Sequence, residues 1–154
     1  MMLDLIGRHH GEDLARQVAE WFVHDRIRAS TDRERLQLRL RTGIRDDLVL
    51  DAIGHFESER EGSIAISMVA SRLGVSIERL ERAFKTEINL GPAEYYKRMK
   101  LQRARDLLEH SKMPVREIGL ASGYTSFSAF VRAFRVAYGK TPRHMRKLAE
   151  MGKP

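Results

Sequence analysis

The sequence predicts an all-α fold in which two copies of one small helical unit are joined by a longer helix. Apolar residues recur at the three- and four-residue spacing of amphipathic helices in one segment after another. The segment "RAFKT", which begins at Arg82, returns fifty positions later as "RAFRV" at Arg132. A repeated helical pattern with a helical segment between its copies indicates two subdomains and a connecting helix.

Basic charge is concentrated in the half of the chain that contains the repeat. Residues 62–154 hold 18 Lys and Arg against 8 Asp and Glu, a net charge of +10, whereas residues 1–61 hold 10 against 13, a net charge of −3. A basic half of this size favours a polyanionic partner, of which nucleic acid is the commonest. A solvated basic surface without a partner is the alternative interpretation.

The composition excludes several classes of protein. With 154 residues, of which 42% are hydrophobic, the chain suits one or two small domains with a buried core. It contains no Cys, which excludes disulfides, Cys-ligated zinc and a thiol nucleophile. The chain has no run of about 18 apolar residues, the length that predicts a membrane span, and no recognisable secretory leader. We therefore expect a cytoplasmic protein.

The first sixty residues predict two helices separated by a linker. Residues 12–28 are predicted to form an N-terminal helical extension with an apolar stripe. Residues 31–45 are rich in Arg without such a stripe, which indicates a linker. Within this linker "RLQLRLR" alternates like a short strand but has no partner strand nearby. The second helix is predicted over residues 46–60, with two Asp residues at its start. Its inward residues are Leu48, Leu50, Ile53 and Phe56.

Residues 64–90 predict a helix-turn-helix unit, two short helices around the turn "LGVS". Gly74 can adopt the positive φ that ends the first helix, and Ser76 can cap the second. Across the turn, the residues expected to face one another are Val69, Ala70 and Leu73 on one helix and Ile77, Leu80 and Phe84 on the other. Ala83 is also expected to face inward.

A long helix and a second helix-turn-helix unit follow. Pro92 begins the long helix, which should end near Ser111, and residues 114–140 repeat the earlier pattern. In this second unit Gly123 occupies the turn and Ser126 the cap position. The candidates for the buried side of the long helix are Tyr95, Tyr96, Met99, Ala104, Leu107 and Leu108.

The two units align at an offset of fifty residues. The matched pairs are Ser76 with Ser126, Leu80 with Phe130, Arg82 with Arg132, Ala83 with Ala133, Phe84 with Phe134 and Pro92 with Pro142. A connecting helix of roughly twenty residues spans about 30 Å, and successive major grooves on one face of B-DNA lie about 34 Å apart. The spacing therefore suits two linked recognition helices, and both Phe residues of the repeat are assigned to the core.

The segment "IGLASGYTSFSAFVRAFRVAYGKTP" resembles the signature of the AraC/XylS-type transcription regulators. The residues that fall where that family pattern expects them are Ile118, Gly123, Tyr124, Ser126, Ser128, Phe130, Arg132, Phe134, Gly139 and Pro142. The first unit fits more loosely, and the resemblance covers residues 46–149. It implies a homeodomain-like DNA-binding domain with two helix-turn-helix subdomains, which binds double-stranded promoter DNA and touches RNA polymerase.

Four positions depart from the family pattern. Asn89 stands where Gly is usual, and Asn tolerates the left-handed conformation favoured there. Gly119 stands where Ala is usual, which costs up to about 1 kcal/mol in a helix and predicts either a loosened second unit or a close helix approach. Lys100 replaces the usual Arg, and Met145 replaces an aromatic residue.

The first thirty residues resemble the C-terminal tail of the amidotransferase-like (PfpI-like) sensor domain of GlxA-type members of this family. The body of such a domain, where an effector would bind, is absent from this chain. We therefore expect residues 1–30 to be a remnant of the sensor domain, and the chain to be a fragment or a truncated reading frame.

Base contacts are expected from the exposed face of the second helix of each unit. By resemblance, Glu78, Glu81 and Arg82 occupy these positions in the first unit. Arg82 can bridge guanine O6 and N7, and either Glu can accept from cytosine N4. Alternatively, Glu81 only orients a neighbouring Arg, because an acid beside phosphates costs affinity.

In the second unit the corresponding face carries Phe127, Ser128, Val131 and Arg132. Phe127 and Val131 are apolar, which favours contact with thymine methyl groups, with burial against a neighbouring helix as the alternative. A further set of basic side chains suits phosphate, although each could equally be a solvated side chain. These are Lys85, Arg103, Arg116, Arg135, Lys140 and Arg143.

No residues predict catalysis, a metal or a cofactor. His9, His10 and His24 lie near Glu20 without a recurring ligand spacing, and there is no Gly-rich phosphate loop or nucleophile elbow. The sequence therefore predicts a non-enzymatic, sequence-specific DNA-binding regulator. The alternatives are a helical protein-interaction module, which leaves the basic half unexplained, and the DNA-binding arm of a recombinase, for which the chain has no room for a catalytic domain.

Overall fold

The computed structural model describes residues 29–59 and 63–152. The helix expected over residues 12–28 lies outside these ranges, and so do all but the last two residues of the expected sensor-domain remnant. The chain divides into two compact parts between Ile44 and Arg45. Helix α1, over residues 29–42, belongs to the first part.

Residues 31–45, expected to be a linker, are helical for most of their length. The alternating "RLQLRLR" pattern does not form a strand, because a helix satisfies its backbone hydrogen bonds within the segment whereas a strand needs a neighbour. Thr42 closes the helix by donating from its hydroxyl to the Leu38 carbonyl at 2.7 Å. Arg, Gln and Leu, which dominate this segment, are also good helix formers.

The second part contains seven helices within the described ranges and no strand there, which confirms the all-α prediction. They are α2 (Asp47–Ser58), α3 (Ile66–Arg72), α4 (Ile77–Ile88), α5 (Pro92–His110), α6 (Val115–Ala121), α7 (Phe127–Tyr138) and α8 (Pro142–Met151). Helices α3 and α4 form the first helix-turn-helix unit, α6 and α7 form the second, and α5 connects them. None of these helices is long and apolar enough to cross a membrane.

The second helix of each unit begins at a side-chain cap, as predicted. The Ser76 hydroxyl accepts from the Arg79 amide at 3.2 Å at the start of α4, and the Ser126 hydroxyl accepts from the Ala129 amide at 3.3 Å at the start of α7. Asp46 caps α2 in the same way through the amide of Val49 at 3.0 Å. Each cap satisfies a backbone donor that has no partner within the helix, and is worth about 1 kcal/mol.

The helix ends repeat as faithfully as the helix starts. Gly74 and Gly123 have φ of 66° and 85° in the two turns. Asn89 (φ 59°) ends α4 and Gly139 (φ 69°) ends α7, both in the left-handed conformation expected for this position. The offset of fifty residues is therefore a repeat of backbone geometry as well as of sequence.

The first core joins α2 to the first unit and to the start of α5. Phe56 lies at its centre, stacked on Tyr96 with ring centroids 4.6 Å apart and tilted against Phe84 at 6.1 Å. Two predictions of inward residues are corrected here: Leu48 is only half-buried, with Val49 facing the core in its place, and Ile77 is 40% exposed. Ile77 is the first residue of α4, next to the exposed cap residue Ser76, and therefore lies at the edge of the core.

The second core lies between the C-terminal half of α5 and the second unit. Its buried residues are Leu101, Ala104, Leu108, Ile118, Phe130 and Phe134. Phe130 and Phe134 meet edge to face with centroids 5.7 Å apart, and Phe84 is fully buried in the first core, so the core assignment of both repeated Phe residues is confirmed. Leu101 is a core residue that the sequence analysis did not identify.

Of the two structures predicted for Gly119, a loosened second unit or a close helix approach, the protein has the close approach. A Cβ atom at Gly119 would lie 2.9 Å from Cδ1 and 3.2 Å from Cγ of Phe130. The matched pair in the first unit is Val69 and Leu80, both fully buried. The second unit thus combines a smaller residue on its first helix with a larger one on its second.

We expect Gly119→Ala to destabilise the protein. Overpacking against the near end of the Phe130 ring costs about 1–3 kcal/mol, which exceeds the gain of up to about 1 kcal/mol in helix propensity. Thermal unfolding measures the change as a lowered Tm. The control is Gly54→Ala within α2, where a Cβ would meet nothing within 4 Å and the same propensity gain should raise Tm.

A second substitution tests the pairing of the two residues. Phe130→Leu introduces the side chain that the first unit has at the matched position. In this variant, Gly119→Ala should lower Tm less than it does in the parent chain. A stabilising Gly119→Ala, or strictly additive effects of the two changes, would contradict the close-approach explanation.

Candidate nucleic-acid interface

The outer face of α4 presents charged side chains at every predicted base-contact position of the first unit. Glu78, Glu81 and Arg82 are all exposed, and Leu80 and Phe84 turn the opposite face of the helix into the first core. Lys85 lies about one helical turn after Arg82 and is exposed too. Its Nζ atom is 3.4 Å from the carbonyl oxygen of Asn89. Helix α4 therefore has one apolar face that packs on the core and one charged face that is exposed.

The outer face of α7 is less polar. Ser128 and Arg132 are exposed, whereas Phe127 and Val131 are half-buried. The Phe127 ring packs on the second core, tilted at 6.3 Å from Phe130, so one side of the ring is covered and the rest stays exposed. The Ser128 hydroxyl lies 2.8 Å from that of Ser126, the cap residue, which restrains it near the helix start.

Two basic positions recur at the same point of both helices. Arg82 and Arg132 are each six residues after the capping Ser, and Lys85 and Arg135 are each nine residues after it. All four side chains are exposed. Because the two helices share their caps and their ends, equal counts from the cap place these side chains at equivalent points of the two units.

The two units differ in charge. Residues 64–90 hold 4 basic and 3 acidic side chains, whereas residues 114–140 hold 4 basic and 1 acidic. Since attraction to a polyanion follows the local excess of positive charge, the second unit is the more strongly attractive of the two.

Three of the residues predicted to contact phosphate lie on the second unit or directly after it. Arg116 is exposed on α6, Lys140 lies in the turn after α7, and Arg143 is exposed in the first turn of α8. The hydroxyl of Thr141 caps α8 by accepting from the His144 amide at 3.3 Å. These three cations and Arg135 place positive charge on three successive elements of the second unit and its neighbour.

Arg103, the remaining predicted phosphate ligand, has a structural role that the sequence analysis missed. Its guanidinium is directed at the end of α2, with Nη1 3.4 Å from the Glu59 carbonyl oxygen and Nη2 3.5 Å from that of Glu57. A cation at these carbonyls complements the negative end of the helix. Its partners lie more than forty residues away, so no local pattern could have indicated the contact.

Lys100 is a second cation that the sequence analysis noted only as a departure from the family pattern. Its ammonium lies 4.9 Å from the centroid of the Tyr96 ring and 4.9 Å from that of Tyr124. Burial lowers the pKa of Lys100, and burial also raises the pKa of the Tyr124 phenol.

Within the described ranges, no three His, Asp or Glu side chains are grouped so that they could hold a metal ion. The His residues considered for such a site, His9, His10 and His24, lie outside those ranges together with Glu20.

We expect Arg103→Met to lower stability by about 1 kcal/mol, because it removes a charged donor from the carbonyls at the end of α2. The same change should leave the salt dependence of binding to duplex DNA unaltered. Arg116→Met is the matched control, with stability changed by less than about 0.5 kcal/mol and the salt slope lowered by about one. Thermal unfolding and salt titrations of binding measure the two effects, and a lowered salt slope in Arg103→Met would contradict the structural role.

Comparison with known proteins identifies the fold at family level. A family model described as a helix-turn-helix domain matches residues 69–148, more than half of the chain. The chain is 34% identical over 154 residues to the HTH-type transcriptional regulator CdhR of Pseudomonas aeruginosa. This match covers 100% of this chain and 46% of that protein. It is 29% identical over 147 residues to the HTH-type transcriptional regulator GlxA of Rhizobium meliloti, covering 96% of this chain and 45% of that protein.

Among solved structures, the chain resembles a transcriptional regulator with an AraC-type DNA-binding domain from Chromobacterium violaceum. The TM-score is 0.63 at 31% identity, and the match covers 69% of this chain and 95% of that one. The chain spans less than half the length of the two regulators named above. From its two capped helix-turn-helix units and these similarities, it belongs to the helix-turn-helix family of AraC-type transcriptional regulators.

Proposed function

We propose that this chain binds double-stranded DNA sequence-specifically, with α4 and α7 in two successive major grooves of a promoter. The observation that carries the proposal is the pair Arg82 and Arg132, exposed at the same point of two helices with the same caps. Helix α5 has 19 residues and is therefore about 28 Å long, close to the roughly 34 Å between grooves on one face of B-DNA.

In this proposal the two units contribute differently. The second unit, with its larger positive excess, supplies most of the affinity, and Arg132 bridges the O6 and N7 atoms of a guanine. Ser128 contacts a neighbouring base edge, and the uncovered parts of Phe127 and Val131 contact thymine methyl groups. The half-burial of both apolar residues supports this role, because it holds them in place at the surface.

The first unit contributes more to base preference than to affinity. Arg82 donates to guanine, while Glu78 and Glu81 accept from the amino group of cytosine. Two carboxylates near the phosphate backbone reduce general attraction to DNA, and they disfavour sequences that offer them no donor. Their exposure on α4 is consistent with such contacts.

Contacts to the phosphate backbone set the affinity and the register. We assign them to Lys85, Arg116, Arg135, Lys140 and Arg143, which are all exposed. Arg103 is left out of this set because it is directed at the end of α2.

We also propose the domain organisation of the chain. Residues 46–149 are the DNA-binding domain, residues 31–45 a helical linker, and residues 1–30 the end of a GlxA-type sensor domain that would hold an effector. The division between Ile44 and Arg45 supports the first boundary, and the similarity to CdhR and GlxA over nearly the whole chain supports the last assignment. By family resemblance, the bound protein acts in the cytoplasm and touches RNA polymerase.

Selection of binding sequences from random duplexes by the purified chain tests the proposal. A recovered motif with two conserved segments about one helical turn of DNA apart is the expected result. Recovery of random sequences would refute specific binding and would favour a protein-interaction module.

We expect Arg132→Ala and Arg135→Ala to affect DNA binding differently. Arg132→Ala should lose about 1–3 kcal/mol of discrimination at one base position while retaining most non-specific affinity. Arg135→Ala should weaken binding to all sequences alike and lower the salt slope by about one. Binding measured on the selected duplex, on its single-base variants and on unrelated DNA separates the two effects. Equal losses on all duplexes in Arg132→Ala would remove its base contact.

A further inference from the structure

We propose that Lys100 is a positioning residue that holds the two helix-turn-helix units in one relative orientation, and so sets the spacing between the DNA segments that α4 and α7 contact. Its effect on DNA rests on the proposed function, whereas its effect on orientation does not.

The ammonium group of Lys100 lies between aromatic rings of the two cores. Tyr96, 4.9 Å away, belongs to the first core and stacks on Phe56 with centroids 4.6 Å apart. Tyr124, also 4.9 Å away, belongs to the turn of the second unit and packs on Phe130 at 5.4 Å. Because a cation is attracted to the face of an aromatic ring, one charge on α5 interacts with a ring of each core: Tyr96, four residues earlier on the same helix, and Tyr124 of the second unit.

The same ammonium is connected to the entrance of the first unit. Lys100 Nζ donates to the Ser63 hydroxyl at 3.3 Å. The next residue, Ile64, donates from its amide to the hydroxyl of Tyr96 at 3.4 Å. The segment before α3 is therefore joined to both partners of the Lys100–Tyr96 pair. Lys100 thus contacts the turn of the second unit, the segment that leads into the first unit, and Tyr96 on its own helix α5.

The contact is suited to orientation more than to stability. Burial lowers the pKa of Lys100, which means that the charged form is disfavoured in the folded protein relative to water. This desolvation opposes the gain from the two rings, so we expect the loss of the charge to change the free energy of unfolding little. Loss of the charge should therefore free the orientation without unfolding either unit.

Tyr124 acts through its ring. Its hydroxyl is buried and has no hydrogen-bond partner within the described part of the chain. Removal of the hydroxyl alone leaves the face that Lys100 contacts unchanged. Tyr124→Phe is thus a matched control for Tyr124→Leu, which removes the ring, and Lys100→Arg is the matched control for Lys100→Met, which removes the charge but keeps a side chain of similar length.

The first measurement needs no DNA. The chain contains no Cys, so Thr86→Cys and Val136→Cys introduce two unique labelling sites at equivalent, exposed positions of α4 and α7. Nitroxide labels at these sites report the distance distribution between the two helices by pulsed electron spin resonance. We expect a narrow distribution in the otherwise unaltered chain, in Lys100→Arg and in Tyr124→Phe, and a broader one in Lys100→Met and Tyr124→Leu.

The second measurement uses the duplex selected by the chain, with one base pair inserted or removed between the two contacted segments. Without the Lys100 contact, the preference for the selected spacing over the altered ones should fall by about fivefold, the factor expected for loss of the paired cation–ring contacts. Lys100→Arg and Tyr124→Phe should keep the preference. Thermal unfolding should show Lys100→Met folded, with both units intact.

The outcomes separate the two proposals. An unchanged distance distribution in Lys100→Met would overturn the positioning role, and so would an unchanged spacing preference. If the parent chain selects no duplex, the proposed function fails, and the distance measurement alone decides the role of Lys100.

Discussion

Both helix-turn-helix units pack on one continuous helix, α5, and their relative orientation depends on this helix. The N-terminal half of α5 contributes Tyr96 to the first core, and the C-terminal half contributes Leu101, Ala104 and Leu108 to the second. With about 100° of turn per residue, Leu101, Ala104 and Leu108 lie roughly a third of a turn around the helix from Tyr96. The phase of apolar residues along α5 therefore determines how far α7 is rotated from α4.

The two units repeat a backbone and vary the side chains that fill it. Ser caps and left-handed helix ends recur at the same points, whereas Val69 with Leu80 in one core corresponds to Gly119 with Phe130 in the other. Cores tolerate such exchanges when total volume is kept, but a cap or a positive φ depends on particular chemistry. Conserved backbone geometry is what leaves Arg82 and Arg132 in equivalent places while the surfaces around them diverge.

Cations serve two purposes in this protein, and residue type does not separate them. Arg132 and Arg135 face outward on α7, whereas Arg103 and Arg146 are directed at backbone carbonyls at or near the ends of other helices. Arg146 donates to the carbonyls of Leu108 and Met113 at 2.9 and 2.8 Å, which attaches α8 to the end of α5. A high count of basic residues thus overstates the charge that is free to face a polyanion.

The sequence by itself determined the features whose causes lie within about four residues: the Ser caps, the positive-φ turns, the start of α5 at Pro92, and the repeat that places Arg82 and Arg132. Tertiary structure alone decided that Ile77 stays exposed, that Gly119 admits the Phe130 ring, and where the cations Lys100 and Arg103 point. The physical reason is the separation along the chain between the groups that interact. Caps and turns are satisfied by neighbours in the chain, whereas packing and the partners of a long charged side chain depend on segments that only folding brings together.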